Sequence, residues 1–238
     1  MELDIFIEGE TVDLRIPTLE FAEKSDWYKW FNNPHVNQFL EHGIFPNTVE
    51  KQISFFQQAM KDRLLLIVTN KEGVPIGSTS LLNINQSTKK AETGTVIGNF
   101  IGKNPLEALE VVALMTEHAF LKLGMQRIIA GQHIGLIPWS HRMSLLGYRL
   151  EGIEKDAFIK GVEKADVIKI ACRYEDYQRI ILHRGGSLWD SQEKMLQRIK
   201  QLPKIPIHKK LQEFFKESES YYENIFSLGG GGQWRGVA

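Results

Sequence analysis

Val12, Leu14 and Ile16 alternate with Asp13 and Arg15, the period of a half-buried strand. Pro17-Thr18 then opens a helical segment through Phe21, Trp27, Trp30 and Phe31, which Asn32-Asn33-Pro34 closes. A short piece, His35 to Leu40, and a turn around Gly43 and Pro46 lead to Thr48, the expected N-cap of a helix carrying Ile53, Phe56 and Met60. Leu64 to Thr69 and Pro75 to Ile84 read as a hairpin through Asn70-Lys71-Glu72-Gly73, and Glu92 to Gly98 extends the sheet.

From Pro105 to about Leu123 the rhythm changes to 3.6 residues, with Leu109, Val112, Ala113, Phe120 and Leu123 on one face. Val111 and Leu114 make the other face apolar too, so this helix is expected to be buried on two sides. Gly124 stops it; a strand from Arg127 to Gly131 and a helix from Pro138 to Leu146 follow, and Gly147 stands where a C′ glycine belongs. Tyr148 to Gly152 and Asp166 to Tyr174 alternate as a last pair of strands. The class this predicts is α/β with a mixed sheet flanked by helices. Beyond it, Asp190 and Glu193 have capping-box spacing for a helix to Leu202 with Leu188, Met195, Leu196 and Ile199 along one side. A second amphipathic helix runs from Ile207 to about Phe226, and residues 229–238 read as a flexible glycine-rich tail.

Composition narrows the function classes. The chain has 238 residues with 29 Lys plus Arg against 29 Asp plus Glu, so no global field draws it to nucleic acid or to an anionic membrane, and neither is expected as a partner. Its single cysteine, Cys172, cannot form an internal disulfide and reads as a small core residue; no metal site is expected. Acidic residues near the amino terminus do not suit a secretory signal, and no apolar run has the length of a membrane helix, so a cytoplasmic protein is expected.

Chemistry concentrates between Ala91 and Leu123. A strand, a glycine-containing turn and a helix start together point unpaired N–H groups and the positive end of a helix dipole at one spot, which favours an anion. Asn104 as N-cap, Pro105 at the first helical position and Glu107 three residues after Asn104 also let this helix start without any ligand. Pro105 removes one donor from the turn, and Lys103 adds a mobile cation.

In order and spacing, several segments resemble the Gcn5-related N-acetyltransferase (GNAT) superfamily, especially its ribosomal-protein N-acetyltransferase-like branch. They are Gly9-Glu10-Thr11-Val12-Asp13-Leu14-Arg15, Trp30-Phe31-Asn32-Asn33-Pro34-His35-Val36, Pro75-Ile76-Gly77, Glu92-Thr93-Gly94-Thr95-Val96-Ile97-Gly98, Glu107-Ala108, Leu146 to Gly152, and Asp166 to Tyr177. The resemblance covers about Gly9 to Arg179. It implies a splayed central sheet, a catalytic domain over 1–179 with a helical extension over 180–228, and transfer of an acetyl group from acetyl-CoA to a primary amine. The small-molecule acceptor it suggests first is a nucleotide-linked amino sugar.

On this resemblance the strand from Thr95 to Gly98, with Val96, Ile97 and Gly98, would pair with the pantetheine arm, and Gly102, Lys103 and Asn104 would take the pyrophosphate. Trp139 occupies one position of an Asn-x-x-Ser segment that many relatives carry beside the cofactor; Leu136 occupies the other. Glu92 would accept the proton of the amine, often through water. Trp30, Asn32 and His35 lie where the family contacts its acceptor. The tyrosine that commonly protonates the leaving thiolate falls at Met143, leaving Ser140, His141 and Ser144 as neighbouring candidates, and His133 as an alternative base. Two other readings stay open: acetylation of a protein amino terminus, and a non-catalytic binding protein that kept the fold. The carboxyl-terminal helices could cover the domain, cap the acceptor cleft or pair two copies as a homodimer.

Overall fold

The computed structural model describes residues 2–98 and 106–228. Gly102, Lys103, Asn104, Pro105 and the 229–238 tail therefore lie outside the described residues. In chain order the elements are β1 (Ile5–Glu8), β2 (Val12–Arg15), α1 (Leu19–Lys24), α2 (Trp27–Trp30), α3 (Pro34–Asn37), α4 (Val49–Asp62), β3 (Leu64–Asn70), β4 (Pro75–Asn85) and β5 (Lys90–Ile97). They continue with α5 (Glu107–Leu121), β6 (Arg127–His133), α6 (Ile137–Met143), β7 (Tyr148–Lys160), β8 (Glu163–Arg173), α7 (Tyr174–Leu182), α8 (Gln192–Gln201), α9 (Ile207–Glu217) and α10 (Glu219–Phe226).

Among the described residues eight strands form one sheet in the order β1-β2-β3-β4-β5-β6-β8-β7. Every neighbouring pair is antiparallel except β5 and β6. Period-two alternation sends Leu66, Val68 and Leu81 to the face covered by α5, where Ile76 joins them past the bulge between Val68 and Thr69, and Leu65 and Ile67 to the face covered by α1, α2 and α4. The α5 helix is apolar on nearly every side, as its pattern predicts, and forms the centre of the larger core with Leu109, Val111, Val112, Met115 and Phe120. Two α5 carboxylates reach out of that core. Glu110 accepts hydrogen bonds from the Glu10 and Thr11 N–H groups and the Thr11 hydroxyl, and Glu117 accepts from the Leu188 N–H at 2.6 Å. One fastens the β1–β2 turn and the other the start of the carboxyl-terminal extension. Burial pushes both carboxyl groups above the usual carboxylate range.

Several expectations are corrected in detail. The first helix breaks after Lys24, because the Ser25 Oγ takes the Trp27 N–H and starts a separate turn. The closing strands are longer than read, since β7 and β8 run on as an exposed ribbon whose charged residues mask the alternation. The pattern marks neither edge strand β1 nor helix α7. Helix α8 is capped by the Ser191 Oγ on the Lys194 N–H, while Asp190 pairs with Arg198. The helix from Ile207 is divided at Ser218 into α9 and α10. Thr48 caps α4 as expected, and Gly147 has φ 88°, the left-handed conformation its place requires. Cys172 is buried, donates to the Leu146 carbonyl at 3.4 Å, and has a thiol pushed up to about 12 by burial.

The extension joins the core instead of hanging from it. Leu188, Trp189 and Met195 pack in the main cluster, and the Glu10 carboxylate receives both the Trp189 indole N–H at 2.8 Å and the Gln192 N–H at 2.7 Å. His208 of α9 is fully buried, and neither ring nitrogen has a partner among the described residues. Its ring faces His141, whose Nε2 donates to the Pro203 carbonyl at 3.0 Å. Burial first, and the His141 charge second, hold the His208 pKa below the ordinary histidine value. A depressed histidine favours the fold at pH above its unfolded value of about 6.5, and that contribution is lost as pH falls through the folded pKa. We therefore expect α9 to loosen as pH falls below about 6.5, read as faster proteolysis at the α8–α9 junction. His208→Leu should flatten that dependence.

Candidate active site

The sheet opens in the middle. Strands β5 and β6 pair only through Lys90–Arg127, Ala91–Ile128 and Glu92–Ile129. Beyond that, β5 follows β4 as far as Ile97–Gly77 while β6 follows β8 as far as His133–Val167. Each strand keeps its antiparallel partner, and the parallel pair between them, which is the weaker kind of ladder, gives way. The Gly98 N–H donates to the Ile76 carbonyl at 2.9 Å, and the Thr79 hydroxyl donates to the Gly94 carbonyl at 3.2 Å. Alternation therefore turns the backbone groups of Gly94, Val96 and Gly98 toward β4, and those of Thr95 and Ile97 into the gap.

A cavity of about 370 Å³ lies at this gap. Thr93 to Val96 of β5 form one wall, Ala130 to His133 of β6 another, and α4 with the α3–α4 loop closes the side opposite α5. That loop is fixed by amides. The Asn32 Oδ1 accepts the Asn47 N–H at 2.7 Å, and the Asn32 Nδ2 donates to the Asn47 carbonyl at 2.8 Å. From the sheet side, the Lys160 Nζ donates to the Asn37 carbonyl at 2.8 Å and so ties α3 to β7.

Of the residues expected at the site, the cavity is lined by Val96 and Trp139. The Val96 backbone is directed to β4, so within this strand Thr95 and Ile97 are the residues whose backbone groups have no partner among the described residues. Gly98 also spends its N–H on β4, and its importance is steric. A Cβ there would stand 2.1 Å from the Trp30 Cγ. Trp30 itself is 8% exposed and packs in the core under α1 and α4, away from the lining. Asn32 supports the loop from outside the cavity, and His35 is exposed at the start of α3. Glu92 sits at the last β5–β6 pair, half-buried, and its carboxylate accepts from the Asn83 Nδ2 at 3.0 Å. It shares a strand face with Gly94 and Val96 and lies one residue before the lining begins at Thr93.

None of Ser140, His141 and Ser144 lines the cavity. Ser140 is buried and donates to the Gln132 Oε1, and His141 is turned toward Pro203. Met143 does line it, with its sulfur accepting from the Gln132 Nε2 at 2.8 Å. His133 lines it as well, packed between Phe39 and Phe158 with centroids at 4.9 and 4.7 Å. Its Nδ1 accepts the Gly135 N–H at 3.0 Å, which places the proton of the neutral ring on Nε2. In that tautomer His133 presents a donor to the cavity and not a base. The pattern of the chain did not single out Asn47, Gln52, Arg63, Ser78, Ser80 or Thr93, all of them in the lining. A polar Gln52 at the inward position of α4, in register with Phe55 and Ala59, was the available signal.

Known proteins agree with this geometry. The model of the acetyltransferase (GNAT) domain matches residues 13–135, more than half of the chain. A GCN5-related N-acetyltransferase from Brucella melitensis superposes with TM-score 0.66 over 85% of this chain and 96% of its own, at 19% identity. Spermidine N-acetyltransferase from Vibrio cholerae, solved with CoA and spermine, gives 0.64 over 71% and 99%, at 14% identity. The microcin C7 self-immunity acetyltransferase MccE, solved with acetyl-CoA and AMP, gives 0.60 over 69% and 93%, at 19% identity. No curated protein matches the chain in sequence. No helix among the described residues is long and apolar enough to cross a membrane. Sheet order, splay and matched domain lead to one assignment: the chain belongs to the GNAT family of acetyltransferases.

Proposed function

We propose that this acetyltransferase moves the acetyl group of acetyl-CoA onto the primary amine of a small molecule. The observation that carries the reading is the walled cavity at the splay, whose about 370 Å³ is the size of a small-molecule site. A protein amino terminus would need a groove open along its length, whereas α4 and the pinned α3–α4 loop wall this one on one side. When bound, acetyl-CoA supplies a thioester-activated acetyl group. The chain fits such a guest through backbone groups of Thr95 and Ile97 and through two side-chain atoms, the Thr93 Oγ1 and the His133 Nε2, none of which has a partner among the described residues. Such orphaned groups are costly unless a ligand satisfies them.

In this reading Trp139 and Met143 pack beside the donor, and the Gly102, Lys103 and Asn104 turn takes its pyrophosphate. Glu92, outside the lining, receives the proton of the amine through a water. A nucleotide-linked amino sugar is the acceptor proposed first. The test is binding. Acetyl-CoA at 100 times its Kd should stabilise the protein by about 2.7 kcal/mol, which corresponds to a rise in Tm of roughly 5–11 °C. An unshifted melt at saturating acetyl-CoA would contradict it.

A further inference from the structure

The α4 wall of the cavity presents two donor side chains, Gln52 and Arg63. Gln52 is 1% exposed; its Oε1 accepts from the Asn47 Nδ2 at 2.9 Å, and its Nε2 has no partner among the described residues. An amide N–H₂ can only donate, so the atom that satisfies it must be an oxygen or another acceptor. Arg63 lies along the same wall. Its Nε donates to Asp62 at 2.8 Å, and its guanidinium carbon stands 5.6 Å from the centre of the Phe55 ring. That contact lays the guanidinium over the Phe55 ring, on the α4 wall that Gln52 also lines. No aspartate or glutamate of the described residues lines the cavity.

Such a lining repels a second ammonium group and attracts an anion. It also bears on the proton. A lysine-like ammonium with a pKa of about 10.4 is deprotonated in only about one molecule in 800 at pH about 7.5, an α-amino-like group of pKa about 8 in about one in four. A cavity without a carboxylate in its wall suits the second kind of amine. We infer that the acceptor is an amine carrying a phosphate or carboxylate group, with the anion held by Arg63 and a hydroxyl or carbonyl oxygen held by Gln52. The inference rests on the small-amine reading above and gives that acceptor its chemical class.

Calorimetric binding to the whole protein tests it without turnover. The probes are glucosamine 6-phosphate for the phosphate arm, muramic acid for the carboxylate arm, neutral glucosamine, and spermidine. At least one anionic amine should bind about tenfold or more tighter than glucosamine. Arg63→Gln should erase that margin, Arg63→Lys should keep part of it, and Gln52→Leu should weaken the sugars alike, all with melts near wild type. Spermidine binding as tightly as the anionic amines, no binding by either anionic amine, or an equal loss for glucosamine and its phosphate in Arg63→Gln would overturn the inference. Thiol release from acetyl-CoA, followed in the same mixtures, separates the two readings. Anionic binding without release counts against acetyl transfer alone, and acetylated spermidine counts against the anionic acceptor alone.

Discussion

Gly98→Ala is expected to destabilise the protein by about 3 kcal/mol and to lower Tm by roughly 6–12 °C. The added methyl group would lie 2.1 Å from the Trp30 Cγ and 2.2 Å from its Cδ2, distances no carbon pair tolerates. The indole cannot step aside easily, because the cluster around it holds Phe21, Trp27, Phe31 and Ile67 in a close-packed layer. Strand β5 cannot step aside either, since the Gly98 N–H is bonded to Ile76 across the sheet. The strain therefore falls on the end of β5, just past the cavity wall of Thr93 to Val96. Thermal melts of Gly98→Ala and of the double variant Gly98→Ala/Trp30→Leu check the cause. The second change should recover part of the first loss, a coupling expected only for groups in contact. A single variant that melts with wild type would show that the seat of Trp30 is not rigid.

Glu92→Gln is expected to lower kcat about a hundredfold while leaving Tm nearly unchanged, the ordinary effect of removing a general base. The amide has the shape of the carboxylate and its oxygen can still accept from Asn83, so the last β5–β6 pair survives. What it loses is the ability to take a proton. Because Glu92 stands one residue outside the lining, the path needs a water, and KM for the amine should change little. Steady-state kinetics at saturating acetyl-CoA read this directly. An unchanged kcat would remove Glu92 from the chemistry and leave the hydrogen bond to Asn83 as its role.

The elements whose pattern is local were legible in the chain. The Thr48 cap, the hairpin through Asn70 to Gly73, the two-sided α5 and the left-handed Gly147 each rest on residues a few positions apart. What escaped depends on distant pairings. The ribbon of β7 and β8 is exposed and charged, so burial does not imprint its period, and edge strand β1 carries too few residues for a pattern. The spacing of Trp27 and Trp30 already fits a packed helix face, and packing against Gly98 takes Trp30 inward; for Asn32 the chain neighbours point to the acceptor, whereas loop closure occupies it. Gln52 and Arg63 enter the cavity only when α4 crosses β4 and when a cation folds back over Phe55, contacts no spacing in the sequence encodes. The tautomer of His133 was equally hidden, since it depends on the turn of Gly135 back to its ring.

The central claim is transfer from acetyl-CoA to a small amine at the splay. Initial rates of thiol release, measured with purified protein, saturating acetyl-CoA and a panel of amino sugars, their phosphates and nucleotide-linked forms, test it most directly. The account predicts release that depends on both the amine and the enzyme and that falls about a hundredfold in Glu92→Gln. Release no faster with any amine than without one, in a protein that still melts cooperatively, would contradict it.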